Sequence, residues 1–510
     1  MAIVPPGPPS ARHGIDPSFI ALPLHALADA ALSRARELGC SYADLRVEQL
    51  REGLRSFRDT ALESSTDHAT LGLAVRVVHD GVWGFASGIG LTADVAARLA
   101  GRAVATACIS KPLTPHRVEL ADEPVHADRT WVSAYDVDPF DVDEAERQGR
   151  MLELSAALLA GEGVSHTSAS LHLVRENKFF ANLAGTTTTQ QRVRVQPQLT
   201  AVSVGAHGFA TMRTLAPPAG RGWEYLTGTG WDFDAEVAEI PALLAEHAAA
   251  PSVEAGRYDL VIEPSNLFLT IHESIGHATE LDRALGYEAA YAGTSFATFD
   301  QLGSLHYGSP VMHVTGDRVV DHGLASIGFD DEGVAATRFD IIEGGTLVGY
   351  QLNRQMAAEK GLGPSNGCAY ADSPGHIPMQ RMPNVSLTAE AGGPSSEELI
   401  SRVERGLYVV GDKSWSIDMQ RYNFQFTGQR FYRIEGGRLA GQVKDVAYQA
   451  TTTDFWRSME AVGGEQTYLL GGAFNCGKGQ PGQSAPVSHG SPSALFRGVN
   501  VLNTASEGAA

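Results

Sequence analysis

Two histidines five residues apart are the first feature of this sequence that can support chemistry. Residues 271–277 read Ile-His-Glu-Ser-Ile-Gly-His, so His272 and His277 enclose Glu273. Neutral imidazoles are common zinc ligands, and a carboxylate next to one of them can take a proton from water. We therefore interpret His272 and His277 as candidate metal ligands and Glu273 as a candidate general base.

The spacing of these histidines predicts a distorted helix. In the common HExxH pattern the histidines are four residues apart and share one face of an α-helix. Here they are five apart, and at about 100° per residue an unbroken α-helix would hold their rings roughly 140° apart. A π-type turn brings residues five apart onto one face, and Gly276 can relax the helix before the second histidine. The spacing therefore argues against a standard HExxH enzyme.

A catalytic zinc site needs a third protein ligand, and spacing alone does not select it. Cys476 lies in the glycine-rich segment 469–483, where the backbone can approach a partner closely and where Lys478 would favour the thiolate. This segment lacks the GxxxxGK[ST] order of a phosphate-binding loop. The candidate third ligands are Glu280, Asp282, Glu288, His306, His313, Cys368 and Cys476.

Composition and charge exclude several classes of protein. The chain has 510 residues, 43% hydrophobic and 19% charged, which is typical of a globular protein with two or three domains. Its net charge of −20, without a basic run, argues against a nucleic-acid partner. We expect no membrane span, because no apolar stretch of about 18 residues occurs. The proline-rich start does not resemble a signal peptide, and the four distant cysteines indicate a reducing compartment, so we expect a cytoplasmic protein.

The pattern of apolar residues predicts an α+β fold. Helical periodicity marks four segments, and period-two alternation of Thr and Val predicts antiparallel strands in the N-terminal half. Two Glu-Gly-Gly segments, at 343–345 and 435–437, are predicted hairpin turns. The predicted helices are 24–38, 92–108, 141–162 and 235–250. We predict a flexible tail at 1–18, followed by an N-terminal α/β domain at 19–250. This domain has subregions at about 19–110 and 141–250, joined by a linker at 112–140. Residues 255–510 are predicted to form a β-rich catalytic, metal-binding domain that carries the HExxxH helix.

Several motifs together resemble one known family. The chain is similar to the TldD/PmbA metallopeptidases over roughly residues 40–505. The segments that carry the resemblance are His272–His277, Asn475-Cys-Gly-Lys-Gly-Gln480, Gly72-Leu-Ala-Val-Arg76, Gly81-Val-Trp-Gly-Phe85, Asp331-Glu-Gly-Val334, Ile341-Ile-Glu-Gly-Gly345, Arg381-Met-Pro-Asn384 and His489-Gly-Ser-Pro492.

The resemblance implies a specific ligand set and a substrate class. The HExxxH motif and the late cysteine match the TldD kind of subunit, in which the two histidines and the cysteine hold zinc and the motif glutamate is catalytic. Those roles fall here on His272, His277, Cys476 and Glu273. The family's site lies in a cavity between subunits, which implies a homodimer, or a heterodimer with a PmbA/TldE-like subunit, that admits unfolded or flexible peptides.

Other functions remain open at this stage. The main alternative is a non-catalytic partner or scaffold subunit, the role of the PmbA kind, but the intact motif and Cys476 argue against it. A zinc amidase acting on a small molecule is another, and a structural zinc site, which would not need Glu273, is a third. Substrate-binding residues are not predicted, although a peptide lying along an exposed strand edge in the C-terminal half would gain backbone hydrogen bonds.

Overall fold

The N-terminal half is built on one mostly antiparallel sheet. The computed structural model describes residues 13–206 and 208–507, and the chain has an α+β fold. Its strands are β1 (Tyr42–Arg58), β2 (Ala61–His79), β3 (Val82–Gly88), β4 (Arg129–Val132), β5 (His166–Asn182), β6 (Thr187–Gly205) and β7 (Gly208–Arg213). In this sheet the strand order is β3-β2-β1-β5-β6-β4, with β7 also paired to β6, and among these described pairs only β4–β6 is parallel.

Period-two alternation gives this sheet two different faces. Odd-numbered residues such as Leu45, Leu171 and Val193 are apolar and pack under the helices. Even-numbered residues such as Arg46 and Lys178 are charged yet buried, because the opposite face is covered by the C-terminal half. The helices are α1 (Pro17–Ile20), α2 (Leu24–Glu37), α3 (Ala93–Ser110), α4 (Glu144–Leu159) and α5 (Phe233–Ala249).

Buried ion pairs join the charged face of the sheet to the C-terminal half. The guanidinium of Arg76 on β2 donates to Asp44 at 2.6 Å and to Glu332 at 3.1 Å. The ammonium group of Lys178 on β5 donates to Asp331 at 2.9 Å. Arg76 and the Asp331–Glu332 pair belong to the family-like motifs, so these motifs fix one half of the chain onto the other.

Removing the charge of Arg76 is expected to destabilise the protein strongly. The Arg76→Met variant leaves Asp44 and Glu332 buried without their partner, which should lower the free energy of unfolding by about 3–5 kcal/mol. Arg51→Met is the matched control, because Arg51 pairs with Asp67 on the exposed part of the same hairpin and should cost about 1 kcal/mol or less. Urea titrations of both variants measure the difference, and equal midpoints would contradict a stabilising role for the buried pairs.

The C-terminal half is built around a closed barrel. The strands of this half are β8 (Gly256–Ile262), β9 (Val314–Asp317), β10 (Arg338–Glu343), β11 (Thr346–Leu347), β12 (Ala369–Tyr370), β13 (Met379–Gln380), β14 (Asn384–Leu387), β15 (Arg405–Ile417), β16 (Asn423–Glu435), β17 (Arg438–Val443), β18 (Val446–Thr451), β19 (Met459–Val462), β20 (Leu469–Lys478), β21 (Gln483–Ser491) and β22 (Ala494–Asn503). Strands β15, β8, β22, β18 and β16 follow one another around the barrel, and β16 pairs back to β15. Aromatic side chains such as Phe426, Tyr448 and Phe496 fill the core.

Helices and turns of the C-terminal half position the strands. Both predicted Glu-Gly-Gly turns are present, one between β10 and β11 and the other between β16 and β17. Their glycines have φ values of 53° to 77°, a left-handed conformation that residues with a side chain rarely adopt. No helix in the described residues is long and apolar enough to cross a membrane. The helices are α6 (Pro264–Ile271), α7 (Leu281–Ala284), α8 (Arg354–Lys360), α9 (Ser396–Ser401), α10 (Thr452–Arg457) and α11 (Thr504–Glu507).

Two details of the structure bear on the predicted organisation. Residues 1–12 of the predicted tail lie outside the described residues, and within residues 13–18 Ile15 is buried and Asp16 pairs with Arg175. The predicted linker at 112–140 contains β4, which joins the sheet because its backbone pairs with β6 and Gly328 leaves room for the ring of Trp131. The division into domains near residue 250 stays a prediction.

Candidate metal centre

The HExxxH segment continues a buried helix as a single π turn. Helix α6 begins after Glu263, whose carboxylate accepts from the Ser265 backbone amide, and its apolar sequence is almost wholly buried. From His272 to Gly276 the backbone is π-helical, and the amide of His277 donates to the carbonyl of His272. The predicted distortion is therefore present, and it places both imidazoles on one side, with ring centroids 4.7 Å apart.

Gly276 contributes to this turn in a different way from the one predicted. Its backbone angles, φ −51° and ψ −60°, are ordinary for a helix, so glycine's extra conformational freedom is not used. A Cβ at this position would lie 2.5 Å from the sulfur of Met382. Glycine is therefore favoured here because it lets the Arg381–Asn384 segment pack directly against the turn.

A hydrogen-bond chain orients the ring of His272. The Nδ1 atom of His489 bonds to the carbonyl of Val385 at 2.8 Å, so this nitrogen carries the proton. The Nε2 atom of His489 then accepts from Nδ1 of His272 at 2.7 Å, which leaves Nε2 of His272 unprotonated. Burial lowers the pKa of His489 well below its usual range, consistent with a neutral ring. His489 was noted in a family-like motif, but no role was predicted for it.

Glu280 orients the ring of His277 in the same manner. Its carboxylate accepts from Nδ1 of His277 at 2.9 Å and pairs with Lys478 at 3.0 Å. Burial would raise the pKa of Glu280, but Lys478 and His277 outweigh it and hold the pKa well below its usual range. Glu280 is therefore a charged partner of a candidate ligand histidine, the arrangement that commonly supports zinc ligands.

Neutralising Glu280 is expected to weaken metal binding without unfolding the site. The Glu280→Gln variant should lower zinc affinity by about 10–100-fold, because His277 loses the carboxylate that fixes its ring and raises its basicity. Asp282→Asn is the matched control: Asp282 also pairs with Lys478, at 2.8 Å, but does not bond to His277. Competition with a zinc chelator measures both affinities, and equal losses in the two variants would assign the effect to Lys478 instead.

Strand β20 brings the thiol of Cys476 to the two histidines. Its Sγ atom lies 3.6 Å from Nε2 of His277. Burial raises the pKa of this thiol, but His277 and Arg381 outweigh burial, so the pKa lies below its usual range. The sequence-based prediction assigned this effect to Lys478 and was wrong, because the ammonium group bonds to Asp282 and Glu280. Arg381 instead donates to the carbonyl of Cys476 and thereby also fixes the strand.

The donor atoms form one compact cluster. In the described part of the chain, only His272, His277 and Cys476 form a group whose ligand atoms lie close enough for a metal, all within 4.8 Å of one another. Two imidazole nitrogens and one thiolate are a donor set that suits zinc. The remaining candidates are not members of this group: Glu280, Asp282 and Glu288 pair with Lys478 or Arg283, His306 and His313 are exposed, and Cys368 bonds to the Asn366 carbonyl.

Glu273 lies beside this cluster and is held by an arginine. Its carboxylate accepts a hydrogen bond from Nη1 of Arg421. Burial would raise the pKa of Glu273, but the neighbouring histidines and Arg421 lower it below its usual range. The group is therefore charged near neutral pH, as a proton acceptor must be.

A cavity of about 410 Å³ opens onto the cluster. It lies between strand β20, the start of the HExxxH segment and the N-terminal sheet, so both halves of the chain contribute to it. Its volume is within the range of small-molecule and peptide-side-chain sites. Besides His272, Glu273, His277 and Cys476, its walls include Gln196, Phe268, Trp415 and Phe474.

Comparison with known proteins identifies the family. The sequence model of the PmbA/TldA metallopeptidase C-terminal domain matches residues 255–503, and that of the PmbA/TldA metallopeptidase domain 1 matches residues 43–107. The chain belongs to the TldD/PmbA family. The resemblance seen in the sequence motifs is thereby confirmed.

Relatives in this family carry protease names. A protein of Methanothermobacter thermautotrophicus named metalloprotease is 28% identical over 91% of this chain and 96% of its own length. The metalloprotease TldD homolog of Haemophilus influenzae is 24% identical over 91% of this chain and 93% of its own. The zinc metalloprotease TldD homolog of Saccharolobus solfataricus is 25% identical over 53% of this chain and 57% of its own.

Solved structures share the fold. A Thermotoga maritima protein proposed as a modulator of a DNA gyrase superposes with a TM-score of 0.73 at 16% identity, covering 93% of this chain and 99% of that one. TldE from Thermococcus kodakarensis superposes with a TM-score of 0.69 at 15% identity, covering 92% and 98%. At these low sequence identities, the structural similarity establishes a shared TldD/PmbA fold only.

Proposed function

We propose that this chain is the TldD-type subunit of its family, a zinc metallopeptidase that hydrolyses peptide bonds of unfolded or flexible peptides. The observation that carries the proposal is the convergence of two imidazoles, one thiolate and one charged glutamate on a single cavity. Relatives named metalloprotease and zinc metalloprotease support the reaction class and the metal.

In this proposal His272, His277 and Cys476 hold Zn²⁺. The hydrogen bonds of His489 and Glu280 leave the Nε2 atoms of both histidines free for the metal, and Arg381 favours the thiolate. Held by these three residues, zinc would lower the pKa of a water molecule and polarise a carbonyl group.

Glu273 is the proposed general base. Its charged carboxylate lines the same cavity as the ligand residues, so water entering the cavity comes within its reach. It accepts a proton from the water that attacks the peptide carbonyl and then transfers that proton to the leaving amine, which completes hydrolysis. Such proton transfers contribute about 10²–10⁴-fold to the rate of a typical enzyme.

Strand β20 offers a place for an extended peptide. Among the described strands it pairs only with β21, so its other edge has no strand partner, and residues 471–477 of this strand line the cavity. A peptide added along that edge gains backbone hydrogen bonds that need no particular side chains. This mode requires a chain that can adopt the extended conformation, and it therefore favours unfolded or flexible substrates.

We further propose that the working unit is a dimer, either of this chain or with a PmbA/TldE-like subunit. The likeness of the fold to TldE supports such a complex. We expect the protein in the cytoplasm, where unfolded chains are produced, with a peptide rather than a nucleic acid as its partner.

Cleavage of one polypeptide in a folded and an unfolded form tests the proposal. The zinc-loaded chain, with and without a co-expressed PmbA/TldE-like subunit, should cleave only the unfolded form, and a chelator should stop the reaction. Bound zinc with no peptide cleavage under any condition would contradict the proposal. Hydrolysis of small amides in that case would favour an amidase, and complete inactivity a scaffold subunit.

A further inference from the structure

Arg421 lies in a rigid turn between β15 and β16. The carboxylate of Asp418 accepts hydrogen bonds from the backbone amides of Gln420, Tyr422 and Asn423, at 3.1, 2.8 and 3.0 Å. These bonds close the turn from inside and leave its backbone little freedom. The hydroxyl of Thr452 adds a bond to the carbonyl of Arg421 at 2.7 Å.

The same turn is fastened to the segment that follows the HExxxH motif. The carbonyls of Met419 and Gln420 accept from the amides of Thr294 and Phe296, at 3.0 and 2.9 Å. Ser295 in turn donates to the carbonyl of Ala278, one residue after His277, at 2.6 Å. The position of the turn is therefore fixed relative to the metal centre.

The backbone of Arg421 is held in a conformation that arginine rarely adopts. Its φ of 62° lies in the left-handed region, where a side chain costs of the order of 1 kcal/mol. Such conformations persist where surrounding contacts overdetermine them, and they concentrate at active sites. Here the conformation directs the guanidinium onto the carboxylate of Glu273.

The guanidinium of Arg421 does not use all of its N–H donors in hydrogen bonds to described residues. Its Nη1 atom bonds to Glu273, whereas its Nε atom is buried and has no partner in the described residues. The side chain is 15% exposed, so its charge is little screened by solvent. Because its Nη1 group already reaches Glu273, which lines the cavity, this largely buried cation is placed to bind negative charge that develops beside the proposed base.

We propose that Arg421 is a further catalytic residue, which orients Glu273 and stabilises the oxyanion formed when water adds to the peptide carbonyl. The inference rests on the proposed peptidase function and names the second oxyanion donor for that reaction. As the carbonyl carbon becomes tetrahedral its oxygen gains negative charge, and the guanidinium compensates this charge without itself losing a proton.

Arginine variants measured on the zinc-loaded protein test this role. Arg421→Ala should retain wild-type zinc content and a KM within a few-fold of wild type, while kcat falls by about 10²–10³-fold. A phosphinic peptide, which mimics the tetrahedral intermediate, should lose affinity by a similar factor. Free guanidinium ion should restore part of the activity of Arg421→Ala, and Arg421→Lys should be intermediate.

Arg433→Ala is the matched control. Arg433 lies on β16, the strand that follows the turn of Arg421, and its exposed side chain pairs with Glu435 away from the cavity, so its loss should leave kcat and phosphinic-peptide affinity near wild type. Unchanged or increased kcat in Arg421→Ala, or loss of zinc in that variant, would overturn the role assigned to Arg421. An inactive wild type would instead refute the peptidase function on which it rests.

Discussion

Replacing Cys476 with alanine is expected to remove bound zinc and, with it, peptide cleavage. The variant keeps only two protein ligands, His272 and His277, whereas a catalytic zinc site normally uses three. Zinc content, measured after dialysis against a buffered zinc solution, should fall from about one ion per chain to near zero. Activity should fall to the level of the chelated wild type.

Cys368→Ala provides the control for this result. Cys368 is also a buried cysteine, but its thiol bonds to the carbonyl of Asn366 and it does not line the cavity. This variant should keep both zinc and activity. If Cys476→Ala binds zinc normally and stays active, the ligand assignment is wrong, and if both variants lose zinc, the loss reflects unfolding.

Replacing Glu273 with glutamine is expected to abolish catalysis while leaving the metal in place. The amide has the shape of the carboxylate and can still accept from Arg421, but it is not basic enough to take a proton from water. We expect unchanged zinc content and a kcat about 10²–10⁴-fold below wild type. Steady-state cleavage of an unfolded peptide, with zinc measured on the same preparation, gives both values.

Glu288→Gln controls for the loss of a buried carboxylate. Glu288 pairs with Arg283 and is not part of the cavity wall, so this variant should retain most of the activity. Full activity of Glu273→Gln would show that another group takes the proton. A parallel loss of zinc in Glu273→Gln would show that this residue supports the metal site and would leave the base unassigned.

Features that depend on residues close together in the sequence could be predicted from local patterns. Helix α3 was predicted at 92–108 and spans Ala93–Ser110, because its apolar residues recur at helical spacing. The π turn was predicted from the five-residue spacing of two histidines that must share one face. Both inferences need only residues that are close together in the sequence.

Features that depend on distant residues were not predicted. His489 lies 217 residues from His272, so the local sequence does not indicate the hydrogen bond between the two rings. Lys478 lies 198 residues from Glu280, so the local sequence does not show that Lys478 pairs with this carboxylate and not with the thiol of Cys476. Strand β1 runs from Tyr42 to Arg58, and the burial of its charged residue Arg46 depends on Asp331 from the C-terminal half, a partner that the local sequence does not indicate.

The family-like motifs illustrate the same limit. Arg76 and Glu332 stand 256 residues apart and meet in a buried ion pair, and Arg381 fixes the strand that carries Cys476. Sequence resemblance marked these residues as noteworthy but gave no role for them. Their contacts join the two halves of the chain and fix strand β20, and none of these three residues lines the cavity.

X-ray absorption at the zinc edge of the purified wild-type protein would identify the atoms that bind the metal. We expect zinc with one sulfur neighbour at about 2.3 Å and two imidazole nitrogens at about 2.0–2.1 Å, with the remaining position filled by a light atom. A first shell without sulfur, a shell of four protein ligands, or a protein that binds no zinc would contradict this expectation.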